Sequence, residues 1–120
     1  MSQSLEGSLH TLMAMSGAMC AAVADYNSGM VLGSHGAAMD IDAAAAGATE
    51  VVKAQVRLMK DIGVQGTIED ILITLDSQFH IIRPSLSNQG LFIYFVLERE
   101  IANLALARRK VQDVDKALTI

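Results

Sequence analysis

The sequence predicts an α/β (α+β) domain with a mostly antiparallel sheet of five strands and helices on both faces. Three observations support this. Amphipathic helical patterns lie near both ends of the chain, a longer one lies between them, and short β-branched or aromatic runs separated by turn residues fill the intervals. The predicted order is therefore α-β-β-α-β-β-β-α. At 120 residues the chain has the size of one domain, and we expect residues 1–120 to form a single domain.

The first three elements are predicted from capping and turn residues. Residues 3–15 place apolar side chains at spacings of three and four behind Ser4, which indicates a capped amphipathic helix. The apolar run Ala18–Asp25 then meets the sequence YNSG at residues 26–29. Because Asn and Gly adopt the positive φ angles of tight turns, this segment predicts a β-hairpin, which we expect to close at residues 35–36.

The middle helix is the most regular predicted element. It begins behind the capping residue Asp40 and runs from Ile41 to about Ile62, where Gly63 is well placed to end it. At 1.5 Å per residue it spans roughly 33 Å, about the width of a small domain. One apolar stripe is enough to face the core of a monomer. Ile41, Ala45, Ala48, Val52, Met59 and Ile62 are predicted to form it.

A second apolar stripe lies beside the first on this helix. It begins with small residues, which let another backbone approach closely, and in a monomer it would leave an exposed strip of a kind that marks an interaction site. The alternative is that its alanines reflect helix propensity alone. We predict instead a contact with a second copy, because two-fold dimers are the commonest oligomers. The stripe consists of Ala44, Gly47, Val51, Ala54 and Leu58.

Three strands are predicted in the second half of the chain. Residues 68–75 are rich in β-branched side chains, and a turn at residues 76–77 leads into Gln78–Pro84, whose terminal proline suits a strand end. Residues 91–97 form an unbroken apolar run. Such a run is typical of a strand covered on both faces, so we place it in the middle of the sheet.

The last helix is predicted from about Glu98 to Leu118. The basic cluster at residues 108–110 has Asp113 and Asp115 close by, and cations near a helix C-terminus are ordinary, so it does not indicate a nucleic-acid site. We expect one apolar side along the helix. It consists of Ile101, Leu104, Ala105, Val111, Val114 and Leu118.

The sequence contains no constellation that indicates catalysis. It has no phosphate-binding loop motif, and its three histidines are scattered, so neither a nucleotide nor a metal site is predicted. Cys20 lies in an apolar strand and is expected to be a core residue, while His80 is expected on a solvated or helix-covered face. Glu69 and Asp70 are adjacent in a strand, point to opposite faces and more plausibly blunt a sheet edge. We predict no catalytic residue, cofactor or metal, and a protein that is not an enzyme.

Charge and hydropathy indicate which classes of partner and which cellular compartment to expect. The net charge of −4 argues against nucleic acid. No Lys or Arg precedes Lys53, so the apolar residues 11–24 lack the positive flank of a signal peptide. The longest apolar runs are far shorter than the roughly 20 residues of a membrane span, and one cysteine cannot form an internal disulfide. We therefore expect a cytoplasmic protein without membrane insertion.

Several sequence segments, taken in order, resemble the roadblock (dynein light chain roadblock-type) family and its bacterial, GTPase-associated branch. They are the hairpin DYNSGMVLGS at residues 25–34, the helix start at residues 39–48, the strands of residues 71–84 that end in IRP, and ANLALAR at residues 102–108. The resemblance covers nearly the whole chain. It implies a roadblock/profilin-like sheet with the first and last helices on one face and the middle helix on the other.

The resemblance also implies partners. Family members form dimers in which the third strands pair at their edges and the middle helices lie side by side, which adds Ile71 and Ile73 to the predicted dimer contact. Bacterial members are regulators or co-factors of small Ras-like GTPases. The function implied is a non-catalytic homodimeric regulator or scaffold that binds and modulates such a GTPase; the alternative is a small-ligand sensor or structural adaptor module in a signalling complex. Gly47 departs from the pattern, since glycine weakens a helix by roughly 1 kcal/mol relative to alanine.

Overall fold

A computed structural model describes residues 2–37 and 39–120. The described residues form three helices and five strands, and their order confirms the predicted α-β-β-α-β-β-β-α arrangement. The elements are α1 (Leu5–Met13), β1 (Ala18–Asp25), β2 (Val31–Gly36), α2 (Ile41–Asp61), β3 (Ile71–Thr74), β4 (Gln78–Pro84), β5 (Leu91–Glu98) and α3 (Leu104–Ala117).

The five strands form one sheet in the order β2-β1-β5-β4-β3. All four pairings are antiparallel. β5 occupies the middle, as its unbroken apolar run predicted, while β2 and β3 are the edges. The pairing of β3 with β4 sets Ile71 opposite Ile82 and Ile73 opposite His80.

The helices cover both faces of this sheet, and side chains alternate between them along each strand. On β5, Phe92, Tyr94 and Val96 pack in the cluster beneath α2. The intervening side chains of β5 pack with α1 and α3 in the second cluster. The arrangement implied by the roadblock resemblance, with the first and last helices on one face, is therefore confirmed.

The capping residues of the first two helices are confirmed as well. The Ser4 hydroxyl accepts a hydrogen bond from the Gly7 amide at 3.0 Å, and the Asp40 carboxylate accepts one from the Ala43 amide at 3.2 Å. These side chains satisfy amides that have no partner within a helix. Gly63 follows α2 with a φ of 75°, a conformation that glycine adopts without strain.

The predicted start of the last helix is wrong. α3 begins at Leu104 and not near Glu98, because β5 extends through Glu98 and the chain turns before the helix starts. The Asn103 side chain caps the helix by accepting a hydrogen bond from the Leu106 amide at 3.1 Å. Of the predicted apolar side, Ile101 and Ala105 are exposed, and Ala107 is buried in their place.

β3 is also shorter than predicted, since it covers Ile71–Thr74 and not residues 68–75. The register of Ile71 with Ile82 would place Glu69 opposite Pro84, which has no amide hydrogen to donate. The Arg83 guanidinium donates to the Glu69 carbonyl instead, at 3.0 Å. The strand pairing therefore ends where the proline stands.

Candidate functional site

α2 rests on the sheet only through its N-terminal half. Ala45, Ala48 and Val52 are buried there, as the first apolar stripe predicted. Beyond Val52 the helix leaves the sheet, and the prediction fails for Ile62, which is 63% exposed. The two halves of α2 consequently border two different surfaces.

The first surface unites the predicted dimer residues. Ala44, Gly47 and Val51 of α2 line a depression of about 280 Å³ together with Ile73 of β3. Val51 is 38% exposed, and a side chain added at Gly47 would meet nothing within 4 Å. Ala54 and Leu58 continue the exposed stripe along the helix, and Ile71 packs partly beneath it. We call this combined surface of helix stripe and edge strand the α2–β3 surface.

The outer edge of β3 borders the α2–β3 surface. It has no neighbouring strand within residues 2–37 and 39–120. Its backbone groups therefore remain available for pairing with another chain. The apolar stripe and the free edge lie on the same side of the molecule, which is the arrangement that the dimer prediction needs.

The half-buried His80 and the buried Tyr94 form a polar pair that lines this surface. The Tyr94 hydroxyl lies 2.7 Å from His80 Nδ1, and His80 Nε2 lies 2.8 Å from the Gln78 side-chain oxygen. Burial, and secondarily the charge of Cys20, raises the pKa of Tyr94 to about 12, so its hydroxyl stays protonated. A neutral imidazole accepts from Tyr94 and donates to Gln78, which satisfies all three groups.

This pair makes stability depend on pH. Burial lowers the pKa of His80 below 6.5, so the folded protein binds this proton less readily than the unfolded chain. The stability that neutral His80 contributes is fully present above about pH 6.5. It is lost as the pH falls through the lowered pKa of the folded state. We expect His80→Gln to flatten the decline of unfolding free energy between about pH 7 and pH 5, measured by urea titration. Identical pH dependence in both proteins would contradict the assignment, because all other groups cancel in the difference.

The second surface is an open groove of about 740 Å³ beneath the C-terminal half of α2, which we call the α2 groove. Its apolar lining comes from Val56 and Met59 of α2, from Val64 and Ile68 of the following connection, and from Leu86. Lys60 is the one charged residue among the described residues that line it. No sequence pattern predicted this groove, because its walls come from segments that are far apart in the chain.

The ionic residues noted in the sequence have structural partners. Asp70 does not simply blunt a sheet edge: it accepts two hydrogen bonds from Arg108, at 2.9 and 3.1 Å. Arg83 and Asp115 form a buried ion pair at 3.0 Å that sequence reasoning missed. Through Arg108, the basic cluster of α3 therefore helps to hold the fold together.

Cys20 is a buried core residue, as predicted, and burial raises the pKa of its thiol.

The described part of the chain contains neither a candidate metal-binding group nor a helix suited to span a membrane. Over residues 2–37 and 39–120, no three His, Cys, Asp or Glu side chains are grouped so that they could hold a metal ion. None of the helices in that part of the chain has the length and apolar character needed to span a membrane.

Comparison with known proteins identifies the class of fold. No family model and no curated protein matches the sequence. Among solved structures, the roadblock/LC7 domain from Streptomyces avermitilis superposes with a TM-score of 0.82 at 19% identity, covering 95% of this chain and 93% of that one. The chain therefore has the roadblock/LC7 fold, and the resemblance found in the sequence is confirmed at the level of the fold.

Individual proteins with this fold include MglB. MglB in a tetrameric arrangement gives a TM-score of 0.79 at 16% identity, covering 92% of this chain and 81% of that one. MglB from Myxococcus xanthus gives 0.78 at 16% identity, with 92% and 89% covered. At these identities the similarity establishes the architecture alone.

Proposed function

We propose that this chain is a non-catalytic, cytoplasmic, homodimeric regulator or scaffold that binds and modulates a small Ras-like GTPase. The observation that carries the dimer is the α2–β3 surface. It joins an exposed apolar helix stripe to a free strand edge, and both features favour contact with another polypeptide.

Two-fold symmetry suits this surface. An axis beside β3 pairs the strand antiparallel with its own copy, and the same axis sets α2 against α2. The small side chains of Ala44 and Gly47 allow the two helix backbones to approach closely, while Val51 and Leu58 supply apolar area. The tetrameric arrangement of MglB, which shares the fold, supports self-association.

The GTPase part of the proposal rests on the roadblock resemblance. The chain has no phosphate-binding loop of its own, so its effect would be exerted on the nucleotide site of a partner. The test is affinity purification of native partners with the tagged chain in the presence of a GTP analogue or of GDP. A recovered small GTPase is then assayed for hydrolysis with and without the chain. Recovery of no GTPase in either nucleotide state would contradict the proposal.

A second candidate function is a small-ligand sensor or adaptor module, for which the α2 groove offers the volume but not the enclosure. The groove volume of about 740 Å³ lies within the roughly 300–1,000 Å³ of typical ligand sites. A thermal-shift screen with metabolites and nucleotides separates the two. A rise in melting temperature with a metabolite favours the sensor, and a nucleotide-dependent GTPase complex favours the regulator.

A further inference from the structure

We propose that the α2 groove binds a linear segment of another protein, one that carries apolar side chains next to carboxylates. The groove lies within one protomer, and none of its described lining residues belongs to the α2–β3 surface. The inference therefore stands independently of the proposed dimer and of the proposed GTPase.

The shape of the groove favours a segment of a larger partner. Val56 is 44% exposed, and Val64 and Leu86 are exposed as well, so the apolar walls stand open to water along one side. Small ligands are usually enclosed over most of their surface. A peptide needs to bury only one face, because its other face stays in solvent or packs on the rest of its own protein.

The backbone of one wall offers hydrogen bonds to such a segment. Thr67 and Ile68 lie between α2 and β3, before the strand that begins at Ile71. Within residues 2–37 and 39–120, the amides of these two residues donate no hydrogen bond to the rest of the chain. An extended peptide can pair with exposed main-chain groups of this kind, while its alternate side chains enter the groove.

The charge around the groove selects for carboxylates. Lys60 lines it, and Lys53 and Arg57 precede it by about two turns and one turn of α2, roughly 120° around the helix from the dimer stripe. Lys53 Nζ lies 3.5 Å from the carbonyl oxygen of Asn27, another lining residue. No carboxylate occurs among the described residues that line the groove, although the whole chain carries a net charge of −4. An acidic, apolar segment is complementary to this local surface.

Fluorescence polarisation with a labelled peptide of about eight residues that alternates leucine and glutamate tests the proposal, since its leucines share one face when extended. We expect Lys60→Glu and Val56→Glu each to weaken binding at least roughly tenfold. Val51→Glu is the matched control, because Val51 is a valine of similar exposure on the other flank of α2. It should leave peptide binding unchanged even where it abolishes self-association. A failure of the peptide-binding proposal can therefore be distinguished from a failure of the dimer proposal.

Two further probes define the outcomes. Replacing the glutamates of the peptide by lysine, or its leucines by serine, should abolish binding. The proposal is overturned if the alternating peptide does not bind, if its lysine version binds equally well, or if Lys60→Glu has no effect. Binding of decanoate without binding of the peptide would also overturn it, in favour of a small amphiphile. Lys60 is a surface residue, so its substitution remains informative even if Val56→Glu does not fold.

Discussion

Asp115→Asn is expected to destabilise the folded protein by about 3 kcal/mol or more. Asp115 is fully buried, and its carboxylate accepts hydrogen bonds from Arg83 Nε at 3.0 Å and the Leu86 amide at 3.0 Å, as well as from the Ser85 hydroxyl. The amide retains the size of the side chain but loses its charge. The Arg83 guanidinium then stays buried without a counterion, and the new amide group points donor hydrogens at existing donors.

The matched control is Asp113→Asn, which makes the same chemical change on the same helix. Asp113 is exposed and pairs with Arg109 at 3.5 Å across one helical turn, so the expected cost is below about 0.5 kcal/mol. Urea unfolding measures both, at one protein concentration because self-association adds to apparent stability. Equal losses in the two variants would contradict the role assigned to the buried pair.

A double substitution separates charge pairing from packing. Replacing both partners of a buried ion pair by apolar residues often leaves the free energy of unfolding unchanged. Removing one partner leaves the other charge buried and unpaired. We therefore expect Arg83→Met with Asp115→Leu to be less destabilising than Asp115→Asn alone. A larger loss in the double variant would show that the hydrogen bonds to Ser85 and Leu86 matter more than the charge.

The fold was predictable because local signals and burial agreed along most of the chain. Ser4 and Asp40 cap helices as expected, and the apolar run of β5 occupies the centre of the sheet. The errors arise where a local pattern continues past the point at which tertiary structure ends the element. Glu98 is a good helix residue, yet strand pairing holds it in β5 against Gln78, so α3 starts only at its Asn103 cap.

The candidate site was predictable in part, for a related reason. The stripe on α2 is periodic in the sequence and could be found there, whereas Asp115 was noted only as an acidic residue close to the basic cluster of residues 108–110. Its importance depends on Arg83, a residue in a strand distant along the chain, and no sequence spacing records that contact. The α2 groove was missed because α2 leaves the sheet after Val52, a property of the packing and not of helical periodicity.

Val51→Glu combined with Leu58→Glu is expected to raise the dissociation constant of the proposed dimer at least roughly a hundredfold. Both side chains are exposed on the α2–β3 surface. A two-fold axis presents each substitution twice, so the two helices would bring four carboxylates into an apolar contact, where like charges repel and lose their hydration. Sedimentation equilibrium of wild type and variant measures the change.

The matched control for this prediction is Val56→Glu, the same chemical change on the same helix at 44% exposure against 38% for Val51. The two valines differ in the flank they occupy, so their different effects report the geometry of the contact and not a general cost of a surface carboxylate. We expect Val56→Glu to remain dimeric. If both variants dissociate, α2 does not contact its copy through one flank alone; if wild type is monomeric at tens of micromolar, about the range where a weak dimer still forms, the self-pairing proposal fails.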